Sequence, residues 1–133
     1  MKFLVAEDEH MVRYLLCELL HEIGVDQVIE CETIEKALSH LDRHETLEIS
    51  AIFLDLNMDG LGGLDFLEKI KANEVYKDVP IFIITGDPAT EKKKACFNYQ
   101  ISSFISKPFS MSQIEDCVRF VERLNSEEIA ELV

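Results

Sequence analysis

The chain has 133 residues, of which 26 are acidic and 13 are basic, so its formal net charge is -13 at pH 7. This length is typical of one domain whose core can form without disulfides or metal ions. The negative charge disfavours direct binding to nucleic acid, and no apolar run reaches the roughly 18 residues of a membrane span.

The first half of the chain alternates between short apolar runs and helical patterns. The predicted strands of this half are Lys2–Ala6, Gln27–Cys31 and Ile49–Asp55. Apolar residues at helical spacing, Leu15 among them, predict a helix over His10–Ile23 that ends at Gly24. Thr33 is a suitable cap for a second helix.

The second half continues this alternation. Its predicted strands are Ile81–Thr85 and Ser102–Ser106, and its helices begin after a glycine-rich turn at 60–63, after Asp87 as a cap, and with a capping box at Ser110–Gln113. The fourth helix, about Pro88–Asn98, has few apolar residues, so we expect it to be the least firmly docked. We assign residues 1–125 to one domain and 126–133 to a C-terminal tail or helix extension.

Five strand–helix repeats predict an α/β fold, with a parallel sheet covered by helices on both faces. The carboxyl ends of parallel strands meet at one edge, where ligands bind in such folds. That edge would carry Glu7, Asp8, Asp55, Thr85 and Lys107.

This set of residues suggests phosphoryl transfer. Crowded carboxylates favour a hard cation, and Mg²⁺ prefers carboxylate and carbonyl oxygens together with water. A metal ion, the ammonium of Lys107 and the hydroxyl of Thr85 around one carboxylate are what a transferring phosphoryl group needs. Asp55, which ends a buried strand, can then act as the nucleophile and form an aspartyl phosphate.

Four stretches resemble the receiver domain of response regulators in two-component signalling, over nearly the whole chain. They are Leu4–Glu9, Phe53–Met58, Pro80–Gly86 and Phe104–Phe109. The resemblance implies a flavodoxin-like, three-layer (βα)5 sandwich with strand order 2-1-3-4-5. We expect a stand-alone receiver without an output domain, because the first strand begins at residue 2.

The resemblance also implies roles for the acidic residues at this edge of the sheet and for Asn57 and Asp87. Asp55 would accept phosphate from a phosphohistidine. Asp8, Asp55 and the backbone carbonyl of Asn57 would hold Mg²⁺, and Glu7 would act through water. Asn57 and Asp87 would tune the lifetime of the phosphoryl group by positioning or blocking water.

The remaining implied roles concern the switch. Lys107 would pair with phosphoryl oxygens, Thr85 would turn to hydrogen-bond them, and Phe104 would turn inward behind it. The Lys107–Pro108 peptide bond would be cis. The face formed by the fourth helix, fifth strand and fifth helix would then shift and bind a downstream protein, while a sensor histidine kinase or histidine phosphotransfer protein would be the donor.

Some positions depart from the family pattern. Glu7 stands where aspartate is commoner, Asp59 where proline is usual, and Gln100–Ile101 where Gly-Ala is usual. None of these removes a reacting group, so we predict a phosphorylatable switch that is not an enzyme beyond its own phosphotransfer and autodephosphorylation. The alternative is a pseudo-receiver that acts only as a protein-interaction module. An aspartyl phosphohydrolase is disfavoured, because Asn57 stands where a second acid is wanted.

The cysteines indicate the compartment. Cys17, Cys31, Cys96 and Cys117 form no CxxC pair, and we expect free, buried thiols in a reducing environment. A zinc site or disulfides are the alternatives. The N-terminal apolar run is too short for a signal peptide. We therefore expect a cytoplasmic protein that does not insert into membranes.

Overall fold

The computed structural model describes residues 1–42, 48–58, 62–86 and 90–132. Its strands are β1 Lys2–Ala6, β2 Gln27–Cys31, β3 Ile49–Asp55, β4 Ile81–Thr85 and β5 Ser103–Ser106. They form one parallel sheet in the order β2-β1-β3-β4-β5. This confirms the predicted fold class and strand order.

Five helices cover the two faces of the sheet. They are α1 His10–Ile23, α2 Ile34–Asp42, α3 Gly63–Lys71, α4 Thr90–Phe97 and α5 Met111–Leu132. Successive side chains of a strand point to opposite faces. In β1, Leu4 belongs to a core cluster with residues of α2 and α3, whereas Phe3 belongs to a second cluster with residues of α1 and α5. The protein is therefore a three-layer sandwich with one core on each face of the sheet.

Three predicted helix ends are confirmed, at Gly24, Thr33 and Ser110–Gln113. Gly24 ends α1 in the left-handed region, with φ at 116°, a conformation that side chains with a Cβ rarely adopt. The hydroxyl of Thr33 accepts a hydrogen bond from the backbone N–H of Lys36 at 3.0 Å. At the start of α5, the backbone N–H of Ser110 donates to Gln113 at 2.9 Å, and the backbone N–H of Gln113 donates back to the Ser110 hydroxyl at 3.2 Å.

One position of the predicted apolar stripe of α1 is wrong, because Leu15 is 50% exposed. In α1 the buried stripe is Leu16, Cys17 and Leu20, and Leu15 lies one residue, or about 100° of helical rotation, away from it. In α4, Cys96 is buried in the core, whereas the neighbouring Phe97 is 59% exposed.

One strand boundary differs from the sequence-based expectation, because β5 begins at Ser103, one residue later than predicted. α5 continues to Leu132, which is the helix extension named as one possibility for the C-terminal residues. The proposed cap of the fourth helix, Asp87, lies outside the described residues.

All four cysteines are free and buried, as predicted. Burial raises the pKa of the Cys17 and Cys31 thiols to about 12, so both are protonated at neutral pH. Within the described ranges, none of the helices combines the length and apolar character needed to cross a membrane.

Candidate functional site

The strands bring the predicted site residues to one edge of the sheet. Asp55 is the last residue of β3 and Thr85 the last of β4, while Glu7 and Lys107 each follow a strand directly. The register pairs Ala6 of β1 with the residue before Asp55. Glu7, Asp55 and Thr85 are buried, with only 2%, 3% and 2% of their surface exposed. Such burial of two carboxylates requires compensating positive charge.

Three carboxylates form a candidate metal site. Glu7, Asp8 and Asp55 each offer one oxygen, and these oxygens all lie within 4.8 Å of one another. Asp8 is less buried than the other two, which leaves one side of the group open to water. Carboxylate oxygens with room for water are the ligands that Mg²⁺ prefers, so the donor set fits this ion.

Lys107 supplies a positive charge to the same cluster. Its Nζ lies 2.9 Å from Glu7 Oε1 and 3.3 Å from Asp55 Oδ2, and it is 3.7 Å from Glu9 Oε1. Burial acts to lower the pKa of Lys107, but hydrogen bonds and charge interactions with Glu7 and Asp55 outweigh it and raise that pKa. The ammonium therefore stays charged at physiological pH and bridges the loop after β5 to β1 and β3.

Among the carboxylates that the structure describes, Glu7 has the most strongly shifted pKa. Burial raises its pKa from 4.5 to about 7; the hydrogen bond from Lys107 opposes this effect, and the neighbouring Asp55 adds to it. One ammonium therefore does not balance the buried negative charge. A divalent cation at the site would favour the ionised form of Glu7.

Asn57 connects Asp55 to Thr85. Its backbone N–H donates to Asp55 Oδ1 at 3.0 Å, and its side-chain Nδ2 donates to Thr85 Oγ1, also at 3.0 Å. Asn57 therefore links the hydroxyl of Thr85 to the carboxylate of Asp55 through two hydrogen bonds.

Two further predictions concern Phe104 and the peptide bond between Lys107 and Pro108. Phe104 is half-buried and packs against the core cluster on the α2 and α3 face, and the peptide bond between Lys107 and Pro108 is cis. Asp59 and Asp87 lie outside the described residues, so their predicted effects stay predictions.

Arg13 is a site residue that the sequence analysis missed. Its Nη1 donates to the backbone oxygen of Glu7 at 2.8 Å, and its Nε lies 3.4 Å from Glu30 Oε1. Arg13 therefore ties the end of β1 to β2 and fixes the backbone that carries Glu7. The sequence offers only a weak indication of this role: Arg13 is a cation about one helical turn after Glu9, and the residues next to it in the sequence are apolar.

Comparisons with known proteins agree with this geometry. Residues 3–119 match the family model described as the response regulator receiver domain. A chemotaxis protein CheY homolog of Campylobacter jejuni is 27% identical over 116 residues, which cover 87% of this chain and 88% of the relative.

Two solved structures share the architecture. A response regulator receiver protein from Pseudomonas putida superposes with a TM-score of 0.81 at 25% identity, over 89% of this chain and 94% of that one. The receiver domain of a sensor histidine kinase from Pseudomonas aeruginosa, solved with a magnesium ion in its active site cleft, gives a TM-score of 0.75 at 21% identity. The superposition covers 92% of this chain and 94% of that one.

Proposed function

The chain belongs to the response regulator receiver domain family, and we propose that Asp55 is the residue through which it accepts a phosphoryl group. Members of this family are signalling switches rather than classical enzymes, and the acidic pocket fits their phosphorylation site. The observation that carries the assignment of Asp55 is its position. Like Glu7, it is a buried carboxylate that contacts Lys107 and belongs to the candidate cation site. Asp55 differs from Glu7 in that it ends β3 and that Asn57 connects it to the hydroxyl of Thr85.

We propose that Asp8, Asp55 and the backbone carbonyl of Asn57 hold Mg²⁺, with Glu7 acting through water. When bound, the ion neutralises charge on the phosphoryl oxygens during transfer. A carboxylate oxygen of Asp55 forms a bond to phosphorus as the phosphorus–nitrogen bond of a phosphohistidine breaks, and the electron pair of that bond leaves on the imidazole nitrogen. Lys107 releases its contact with Asp55 and pairs with the phosphoryl oxygens.

Thr85 connects phosphorylation to the rest of the fold. Its hydroxyl accepts a hydrogen bond from Asn57, and the proposed turn toward the phosphoryl group exchanges this bond for a charge-assisted one, which is stronger. Phe104 turns inward behind it. The α4–β5–α5 face then changes its population of conformers, and a downstream protein that prefers one conformer binds or dissociates.

The proposed partners and location follow from the same function. The phosphodonor is a sensor histidine kinase or a histidine phosphotransfer protein, and dephosphorylation occurs within the receiver itself. We propose a cytoplasmic location, because four free thiols are typical of a reducing compartment. The pseudo-receiver alternative is not favoured, since the proposed site retains carboxylates, hydroxyl and lysine together.

The test is phosphorylation by a small-molecule donor. The protein is incubated with Mg²⁺ and phosphoramidate, and intact-mass spectrometry should show the addition of one phosphoryl group. Asp55→Asn should abolish the adduct, whereas Asp116→Asn, which makes the same chemical change at an exposed position of α5, should keep it. Failure of the wild-type protein to form any adduct, or an adduct that persists in Asp55→Asn, would defeat the proposal.

A further inference from the structure

The third carboxylate near Lys107 has no role in the function proposed above. Glu9 Oε1 lies 3.7 Å from Lys107 Nζ, and the Glu9 side chain is 66% exposed. The two other carboxylates at this ammonium, Glu7 and Asp55, have side chains that are only 3% exposed. Glu9 therefore lies on the solvent side of the ammonium, and a phosphodonor enters the site from solvent.

Glu9 is close enough to the phosphorylation centre to act through its charge. Because Lys107 contacts Asp55 at 3.3 Å and Glu9 at 3.7 Å, the two carboxylate oxygens are at most about 7 Å apart. This separation is below the Debye length of about 8 Å at physiological ionic strength. A negative charge on the incoming donor therefore interacts with Glu9 before much of that interaction is screened.

Helix formation does not require the Glu9 side chain. Glu9 is the N-cap residue of α1, yet its side chain makes no capping hydrogen bond. Its backbone N–H donates to Glu7 Oε1 at 3.3 Å, a contact that does not depend on the Glu9 side chain. The carboxylate of Glu9 can therefore be replaced while the backbone of the site stays in place.

We propose that Glu9 is a specificity-determining residue that selects phosphodonors by charge. It disfavours doubly charged acyl phosphates more strongly than donors with a phosphorus–nitrogen bond, such as a phosphohistidine side chain whose ring is protonated. The inference rests on the proposed role of Asp55 as the phosphoacceptor. It adds a discrimination between donor classes that the acceptor and its metal site do not provide.

The two donor classes react alike at phosphorus and differ in charge. In each case an Asp55 oxygen bonds to phosphorus, the bond to the leaving group breaks, and its electron pair departs with that group. Acetyl phosphate is a dianion at neutral pH and releases acetate. Phosphoramidate carries a protonated nitrogen, so it has one net negative charge, and it releases ammonia. Repulsion by one fixed carboxylate is therefore about twice as large for acetyl phosphate.

The test compares the two donors on Glu9→Gln and on Glu22→Gln, a matched change at an exposed position further along α1. At low ionic strength, loss of the Glu9 charge should raise the phosphorylation rate about fivefold with acetyl phosphate and about twofold with phosphoramidate. The ratio of the acetyl phosphate rate to the phosphoramidate rate should therefore be about 2.5-fold higher in Glu9→Gln than in the wild-type protein. Near 1 M salt, this ratio should be nearly the same in the two proteins. Glu22→Gln should leave the ratio unchanged.

Binding of Mg²⁺, measured by isothermal titration calorimetry without any donor, provides a second readout. Glu9→Gln should weaken the affinity by about threefold or less, because Glu9 acts at a distance and is not a ligand. An unchanged donor ratio in Glu9→Gln, or a ratio change that persists at high salt, would overturn the inference while leaving Asp55 phosphorylation intact. Absence of phosphorylation in the wild-type protein would instead overturn the proposed function, and the inference with it.

Discussion

Replacing Glu7 by glutamine should stabilise the metal-free protein at alkaline pH. Burial raises the pKa of Glu7 from 4.5 to about 7. Between these two pH values, Glu7 is therefore mostly protonated in the folded state and mostly ionised in the unfolded state. Stability from this group is fully present below pH 4.5 and is lost as pH rises through 7. The difference between the two pKa values, at about 1.36 kcal/mol per pKa unit, corresponds to about 3 kcal/mol of the free energy of unfolding. About 2.5 kcal/mol of this loss falls between pH 5 and pH 8.

The assay is urea unfolding in the presence of a chelator at pH 5 and pH 8. Every variant should lose some stability on the way to pH 8, because the net charge is already -13 at pH 7. The informative quantity is the difference between variants. The wild-type protein and the exposed-site control Glu22→Gln should each lose about 2 to 3 kcal/mol more than Glu7→Gln.

Saturating Mg²⁺ should remove much of this difference, since the ion stabilises the ionised form of Glu7. An equal loss of stability in Glu7→Gln and wild type between pH 5 and pH 8 would refute the reasoning. It would mean that Lys107, at 2.9 Å, keeps Glu7 ionised throughout this range.

Three other predictions follow from the same contacts. Gly63→Ala would place a Cβ 2.9 Å from the Cα of Leu56, so urea unfolding should show a loss of stability of about 1 to 3 kcal/mol. Gly62→Ala should lose less stability, because its Cβ would meet nothing nearer than 4.0 Å. Equal losses in the two variants would contradict this prediction. Replacement of Asn57 or Asp87 should change the lifetime of the phosphorylated form more than its rate of formation, and unchanged decay of the labelled protein in both variants would contradict this. The cysteine thiols, all buried and free, should be unreactive toward Ellman's reagent in the native protein at pH 8, and all should react after unfolding; rapid native reaction would contradict their raised pKa.

The sequence predicted the placement of the site better than its contacts. Apolar runs that end in Asp55 and Thr85 locate two strand ends, and alternation with helices makes the sheet parallel, so a shared edge follows. The distances between the side chains of the site cannot be predicted from the sequence, because they depend on the conformations of the loops and side chains at this edge. Arg13, which binds the Glu7 carbonyl, has no local pattern that marks it as a site residue. The exposure of Leu15 also could not be predicted from the sequence. The apolar residues of α1 are compatible with two rotations of the helix against the sheet, one that buries Leu15 and one that buries Leu16.

Lys107 has a consequence for how information travels in the molecule. It directly follows β5, an edge strand that pairs only with β4 among the described strands. Its ammonium nevertheless reaches carboxylates at the carboxyl ends of β1 and β3. A protein that binds at β5 and displaces this strand would therefore alter the charge around Asp55. Coupling between two binding equilibria is reciprocal. A partner that binds the phosphorylated form tenfold more tightly would favour phosphorylation tenfold, so the target would act as an input to the switch as well as its output.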